Sequence, residues 1–169
     1  MAEQDIALMA HLMRRAGFSA PREELNARVV KGYETTVEEL LAPDVHKVPS
    51  VNESIMIRFI PGFIFGNGHA DMARANWMYR MINTQRPLEE KVTLFWHQVF
   101  ATGASKLDNS QLLRAQIAMF RRYGMGNYRD LLVYLAKDPA MIFWLDNNEN
   151  HKGAPNENWG RELLELFSM

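Results

Sequence analysis

The side chains best suited to chemistry are concentrated near the C-terminus, between Asp146 and Glu165. Five acids face two bases in this stretch; the acids are Asp146, Glu149, Glu157, Glu162 and Glu165, and the bases are Lys152 and Arg161. Like charges brought together are costly unless a cation, a proton or an arginine compensates them. Oxygen ligands without thiolates favour Ca²⁺, Mg²⁺ or Mn²⁺ over softer metals. The stretch therefore predicts either a weak hard-cation site or a structural clasp.

The loop that begins at Asp146 has part of the spacing of a calcium-binding loop. Asp146, Asn148 and Asn150 match its first, third and fifth ligand positions, and Glu157 matches the twelfth. His151 occupies the sixth position, which needs glycine for its turn, so a true EF-hand is disfavoured. We expect any divalent cation to bind weakly, with a Kd on the order of 10⁻⁴–10⁻³ M. We predict no other cofactor.

His97 is the candidate general base or metal ligand. With Glu162 and Glu165 it makes up the catalytic candidates, as part of a hydrolase-like or metal-assisted site on the acidic loop and helix of residues 146–165. The competing interpretation is a hydrogen-bonded core histidine, the commoner role for a lone histidine on a largely apolar helix. The zinc-helix motif His-Glu-x-x-His does not occur in the sequence. Whether the protein is an enzyme stays open at this point.

The elements that must position these residues are all predicted to be helices. Proline, glycine and capping residues mark their ends, at Asp5, Gly17, Pro21, Gly32, Pro43, Pro87, Gly103, Asp108 or Asn109, Gly124, Asn127 and Pro139. The last helix runs from about Glu157, with one apolar face and one charged face that solvation alone could explain. We predict an all-α, compact bundle of roughly eight or nine short to medium helices, with a buried central helix at 87–101. Residues 43–68 are predicted to be an irregular Pro/Gly-rich connection within a single domain, 1–169.

Composition narrows the possible partners. The formal net charge is −1, so we expect no nucleic-acid partner. The chain has no cysteine, which excludes disulfides, thiolate metal sites and cysteine nucleophiles. No apolar run reaches the ~18 residues of a membrane span. The N-terminus has no signal-peptide pattern, so a cytoplasmic location is the default expectation.

One segment carries a family resemblance. Residues 155–167, Pro-Asn-Glu-Asn-Trp-Gly-Arg-Glu-Leu-Leu-Glu-Leu-Phe, resemble the hallmark segment of the bacterial domain-of-unknown-function family 1800. Gly160 stands where that family more often has alanine. The opening motif of residues 11–18, the run from Arg86 to Thr102 and the run from Lys137 to Asp146 are also similar to the family. The resemblance extends over almost the whole chain.

The resemblance implies that the protein is longer than this chain, and it implies no particular activity. Members of the family are typically longer, so this chain is expected to be an N-terminal part, as a fragment or a natural split, and related proteins are thought to be exported. The polar helix face is then as readily structural as functional; its candidate clasp residues are Asn156, Glu157, Asn158, Trp159 and Arg161. We expect Asn156 to cap the helix. Arg161 is expected to pair with Glu157 or Glu165 on the polar face, or with Glu162 as a buried pair.

Two functions follow as alternatives. The first is a structural or interaction module that packs against a missing C-terminal portion of the same protein or a split partner chain, with possible self-association. The second is part of a hydrolase-like or hard-metal-dependent enzyme that uses the 146–165 loop and helix with His97.

Overall fold

The structure is a computed structural model that describes residues 3–59, 70–107 and 109–168. Its described residues form ten α-helices and no strand, so the all-α prediction is confirmed. The helices are α1 (Glu3–Ala16), α2 (Arg22–Lys31), α3 (Tyr33–Leu41), α4 (Ser54–Phe59), α5 (Ala70–Asn83), α6 (Pro87–Val99), α7 (Ser110–Tyr123), α8 (Tyr128–Ala136), α9 (Pro139–Trp144) and α10 (Asn158–Glu162). A 3₁₀ turn covers Asn147–Glu149, and a π-helical turn continues α10 over Leu163–Phe167.

Asparagine side chains cap the starts of two helices, α7 and α8. The Asn109 side chain accepts a hydrogen bond from Gln111 N, and the Asn127 side chain accepts from Arg129 N, as those two caps were predicted to do. The predicted Asp5 cap is wrong, because α1 already includes Glu3.

In its described part, residues 43–59, the Pro/Gly-rich connection is irregular except for one short helix. Residues 43–47 form turns, and α4 lies within the connection, while residues 60–68 lie outside the described residues. Arg86 holds the first part of the connection: its Nε and Nη2 donate to the Val48 carbonyl at 2.8 and 2.5 Å, and its Nη1 lies 2.8 Å from Asp44.

The chain divides into two compact units. The first consists of Met1–Ile55 and Trp77–Lys91, and the second of Met56–Asn76 and Val92–Met169. Helices α5 and α6 therefore each contribute residues to both units. The prediction of a single domain stays a prediction.

The first unit is built on apolar residues of α1, α2 and α3. Its buried cluster is Ile6, Met9, Met13, Ala16, Leu25 and Leu40. Lys91 donates from Nζ to the carbonyls of Arg14 and Gly17 at 2.7 and 2.6 Å, where α1 ends. A cation is favourable at a helix C-terminus because the last carbonyls lack partners within the helix.

A buried ion network joins α5 to α6 within the first unit. Glu90 is only 1% exposed. It accepts from Trp77 Nε1 at 3.1 Å and from Arg80 Nε at 3.2 Å, and Arg80 also pairs with Glu53. A buried carboxylate needs such partners, since an unpaired buried charge is strongly destabilising.

The expected burial of α6 is only partly correct. Phe95, within the helix predicted to be buried, is 52% exposed, whereas Glu90 and Thr93 are buried. The polar partners of Glu90 draw that face inward, which the apolar pattern of the helix does not reveal.

The second unit has an aromatic core. The buried residues are Phe100, Phe120, Leu131, Leu135, Met141, Leu145 and Phe167. Trp96 stacks on Phe100 with ring centroids 5.3 Å apart, and its indole N–H donates to the Gly124 carbonyl at 2.7 Å. This core supports α8, α9 and the C-terminal segment, which comprises residues 158–167.

Candidate functional site

The two asparagines of the hallmark segment bind the end of α9. Asn156 donates from Nδ2 to the carbonyls of Leu145 and Asp146, at 3.1 and 2.9 Å. Asn158 donates from Nδ2 to the same Leu145 carbonyl at 3.0 Å. Carbonyls at a helix C-terminus have no partner within the helix, and these amides supply one.

Asn156 also forms the turn before the last helix. Its Oδ1 accepts a hydrogen bond from Asn158 N at 2.8 Å, which closes a local turn before the helix, while Glu157 occupies the N-cap position. Its own N–H donates to Asn150 Oδ1 at 3.3 Å. One side chain therefore connects the end of α9 to the beginning of α10.

The four metal candidates have different surroundings. Asp146 lies 2.6 Å from the Lys106 ammonium, and Glu157 lies 3.9 Å from Arg161. Asn150 accepts from the backbone of Asn156, and Asn148 is exposed. Within residues 3–59, 70–107 and 109–168, no three His, Asp or Glu side chains form a group that could hold a metal ion.

Lys106 compensates the acidic end of the loop. Besides the Asp146 carboxylate, its Nζ also contacts the Trp144 carbonyl at 2.8 Å. Asp146 itself has φ 58°, a left-handed conformation that an aspartate tolerates better than most residues. The turn thus directs its carboxylate to an ammonium group forty residues earlier in the chain.

Arg161 lies on the exposed face of α10. It is 3.9 Å from Glu157 and 3.6 Å from Glu165, and its side chain is 59% exposed. The pairs expected with Glu157 and Glu165 are present, since residues four positions apart share a helix face. The alternative pair with Glu162 is not among the ion pairs of Arg161. Exposed pairs of this kind contribute about 0–1 kcal/mol, so this face is mainly a solvated one.

The apolar face of the C-terminal segment packs on the second unit's core. Phe167 is buried and meets Phe100 edge-on, with ring centroids 4.9 Å apart. The Tyr128 hydroxyl donates to the Phe167 carbonyl. Trp159 is half-buried and lies 6.0 Å from Phe167, centroid to centroid.

An apolar cleft of about 360 Å³ lies beside this segment. One wall comes from α8 and the other from the C-terminal segment; the lining residues are Tyr128, Arg129, Leu132, Val133, Ala136, Trp159 and Leu163. Trp159 and Leu163 therefore have one side on the core and another on the cleft. The cleft suits an apolar group, and neither His97 nor Glu162 lines it.

The three catalytic candidates, His97, Glu162 and Glu165, differ in how deeply they are buried and in which charged groups lie near them. Burial lowers the pKa of His97, so its imidazole is neutral near pH 7. Glu162 is half-buried, and Glu165 is exposed and lies beside Arg161.

A buried polar network in the second unit was missed by sequence reasoning. Asp138 caps α9 by accepting from Met141 N at 3.0 Å, and it also accepts from Gln116 Nε2 at 2.7 Å. Gln116 Oε1 in turn accepts from the Thr102 hydroxyl. The Asp-Pro pair at the start of α9 was the available signal for this cap, since Asp precedes Pro at the first helical position.

Burial controls the ionisation of this network. Desolvation raises the pKa of Asp138, and its hydrogen bonds from Met141 and Gln116 partly oppose the rise. The network connects α7 to the first turn of α9 and is structural in character.

The fold and the site together define an all-α protein whose asparagine-rich loop is bonded to its own backbone beside an apolar cleft. The chain belongs to the family described as "Protein of unknown function (DUF1800)", which matches residues 11–169. No curated protein and no solved structure matches the chain. None of the helices in the described part of the chain is long and apolar enough to cross a membrane.

Proposed function

We propose that this chain is a structural and interaction module, and that its apolar cleft receives an apolar segment from a C-terminal portion of the same protein. The observation that carries the proposal is the cleft between α8 and the C-terminal segment. An open apolar groove on a folded surface is a common mark of an interaction site.

Exposed apolar side chains near the cleft favour its being covered by a partner segment over its being left in water. Val133 on the α8 wall is 42% exposed. Leu164 directly follows the cleft residue Leu163, and Leu166 lies two residues further along the chain; they are 69% and 65% exposed. Burying such leucines is worth roughly 1.5–3 kcal/mol each, so a partner that covers this surface gains affinity from it.

The location of the cleft supports an intramolecular occupant. Leu163 lies six residues before Met169, and the Phe167 carbonyl is held by Tyr128, also a cleft residue. In a longer chain, a segment attached on the C-terminal side of Phe167 would leave the fold near the cleft residue Tyr128. A covalently attached segment benefits from a high effective concentration and needs little affinity of its own.

The clasp residues fit this function. The side-chain amides of Asn156 and Asn158 donate to the Leu145 carbonyl at the end of α9 and thereby orient α10. This orientation places Trp159 in the wall of the cleft. The alternative, part of a hydrolase-like or hard-metal-dependent enzyme using the 146–165 loop and helix with His97, remains a hypothesis. Its single favourable observation is the neutral imidazole of His97.

Hydrogen exchange tests the proposal. Residues 1–169 are compared with the same chain extended by the downstream residues of its reading frame. We expect α8 amides to exchange at least tenfold more slowly in the extended chain, because the docked segment covers that helix. Amides of α2, in the other unit, should exchange equally in both proteins. A split partner chain, added in trans, should give the same pattern.

Two valine variants make the test specific. Val133→Asp introduces a charge into the cleft wall and should abolish the added protection of α8. Val30→Asp, at a 78% exposed position on α2, is the matched control and should leave it intact. Equal exchange of α8 in the short and extended chains would refute the docking proposal, as would full protection in the Val133→Asp protein.

A further inference from the structure

A second cleft, of about 620 Å³, lies wholly within the first unit. It is formed by α2, the end of α3, the loop that follows α3 and the end of α5. In contrast to the apolar cleft, its lining is rich in charge; the charged or ionisable residues are Glu24, Arg28, Lys31, Glu39, His46 and Lys47. Its volume falls in the range of about 300–1,000 Å³ that is usual for small-molecule sites.

Two of its cations are oriented by carboxylates. Arg28 Nη2 and Nε lie 2.7 and 2.8 Å from Glu24 Oε1. Lys31 Nζ lies 2.8 Å from both oxygens of Glu39. A guanidinium has five N–H donors and an ammonium three, so each cation keeps donors beyond those its carboxylate uses.

The loop after α3 adds two more polar side chains. Across the described residues, the side chains of His46 and Lys47 have no hydrogen-bond or ion-pair partner. Lys47 has φ 53°, and the turn around it is closed by a 2.8 Å bond from Val48 N to the Pro43 carbonyl. Arg86 holds the Val48 carbonyl, so the backbone that carries Lys47 is fixed.

The charge balance of the cleft favours an anion. Three cations, Arg28, Lys31 and Lys47, face the two carboxylates of Glu24 and Glu39. The carboxylates keep two of the cations in place, and the excess positive charge belongs to Lys47 on the loop. Asn83, Thr84 and Gln85 line the cleft as well. The Asn83 amide donates to the Tyr79 carbonyl at 2.8 Å, and Thr84 Oγ1 accepts from Arg86 N at 2.9 Å.

We propose that this cleft binds a small organic oxyanion, carrying a carboxylate or a phosphate group, between Lys31 and Lys47. The spare donors of Arg28 and Lys31 and the ammonium of Lys47 bind the charged oxygens, because charge-assisted hydrogen bonds to oxyanions are stronger than neutral ones. The neighbouring amides accommodate the polar remainder of the ligand. The inference is independent of the docking function of the second unit.

Amide chemical-shift titration of the isotopically labelled 169-residue chain tests this site. Inorganic phosphate and succinate are the two probes, and neutral succinamide is the uncharged counterpart, all at constant ionic strength. We expect saturable shifts confined to α2, residues 43–49 and residues 82–85. Saturation by phosphate at lower concentration supports a phosphate ligand, and saturation by succinate at lower concentration supports a carboxylate. Shifts that are scattered or fail to saturate with both anions overturn the proposal, as do equal shifts with succinamide.

Charge-removing variants locate the binding. The double variant Lys31→Gln with Lys47→Gln should lower the affinity for the anion at least tenfold. The single variant Lys47→Gln, on an exposed loop, should lower it about threefold or more, because one charge-assisted contact is lost. Lys137→Gln with Lys152→Gln, two exposed lysines of the second unit, is the matched control and should bind like the unaltered chain. Unchanged affinity in the Lys47→Gln protein would overturn the assignment, because that variant retains both internal ion pairs.

Discussion

Asn158 donates a hydrogen bond from Nδ2 to the Leu145 carbonyl, 3.0 Å away, and so joins the last helix of the chain to the end of α9. Asn156 donates to the same carbonyl at 3.1 Å. Two asparagines of the family's hallmark segment therefore satisfy one orphan carbonyl. Their amides are engaged by the protein's own backbone, and the neighbouring Trp159 packs on the core and lines the apolar cleft.

Removing the Asn158 amide should destabilise the protein. We expect Asn158→Ala to lower the free energy of unfolding by about 1–2 kcal/mol, because the lost donor weakens the end of α9. Asn148→Ala, at an exposed position in the 3₁₀ turn Asn147–Glu149, should change it by less than about 0.5 kcal/mol. Denaturant unfolding followed by circular dichroism measures both. Equal effects of the two substitutions would mean that the Leu145 contact carries no stability.

Glycine substitutions should have opposite signs at two positions. A Cβ on Gly160 meets nothing within 4 Å, so Gly160→Ala should stabilise α10 and raise the free energy of unfolding by about 0.5–1 kcal/mol. A Cβ on Gly124 would lie 2.6 Å from Trp96 Cδ1. We expect Gly124→Ala to cost about 1–3 kcal/mol through overpacking against the indole ring. Thermal melts of the two variants should move in opposite directions; a shared direction would contradict the packing around Trp96.

Asp138 should give a distinctive pH dependence. Its pKa is raised above the ordinary value of 3.8 by burial, so the folded protein binds this proton more tightly than the unfolded chain. Its contribution to stability is therefore fully present below the unfolded pKa and is lost as the pH rises through the folded pKa. Asp138→Asn keeps an oxygen that can accept from Met141 and Gln116 but removes the titration.

The measurement is the free energy of unfolding of both proteins from pH 3 to pH 7. We expect the stability of the original chain relative to Asp138→Asn to fall across the acid range, and Asp130→Asn, an exposed carboxylate on α8, to produce no such difference. A relative stability that rises with pH would show that the hydrogen bonds outweigh burial.

Divalent cations should leave the melting temperature unchanged. Lys106 already compensates Asp146 at 2.6 Å, and Asn150 is bonded to the backbone of Asn156. We therefore expect the same melting curve in 1 mM Ca²⁺, Mg²⁺ or Mn²⁺ as in chelator. A site with a Kd near 10⁻⁴ M would instead add about 1.4 kcal/mol at that concentration. Such a gain, lost on Glu157→Gln with Asp146→Asn, would establish the weak cation site.

The helices and most of their ends could be predicted from the sequence because the interactions that begin and end a helix are local. Asn109 and Asn127 cap helices through bonds to residues two or three positions away. Glycine and proline stop helices through their own backbone preferences. The same locality explains why Asn156 was expected to cap the last helix, since its bond to Asn158 spans two residues.

The surroundings of the candidate site were decided by the tertiary structure. Asp146 meets a lysine forty positions earlier, Asn158 meets a carbonyl thirteen positions earlier, and Glu90 is buried because Trp77 and Arg80 reach it from α5. None of these partners follows from helical periodicity, which records only how residues of one helix share a face. Acidic residues that resemble ligands in the sequence thus become ion-pair or hydrogen-bond partners once distant donors are brought beside them, because a carboxylate that folding draws away from water needs the nearest available compensating group.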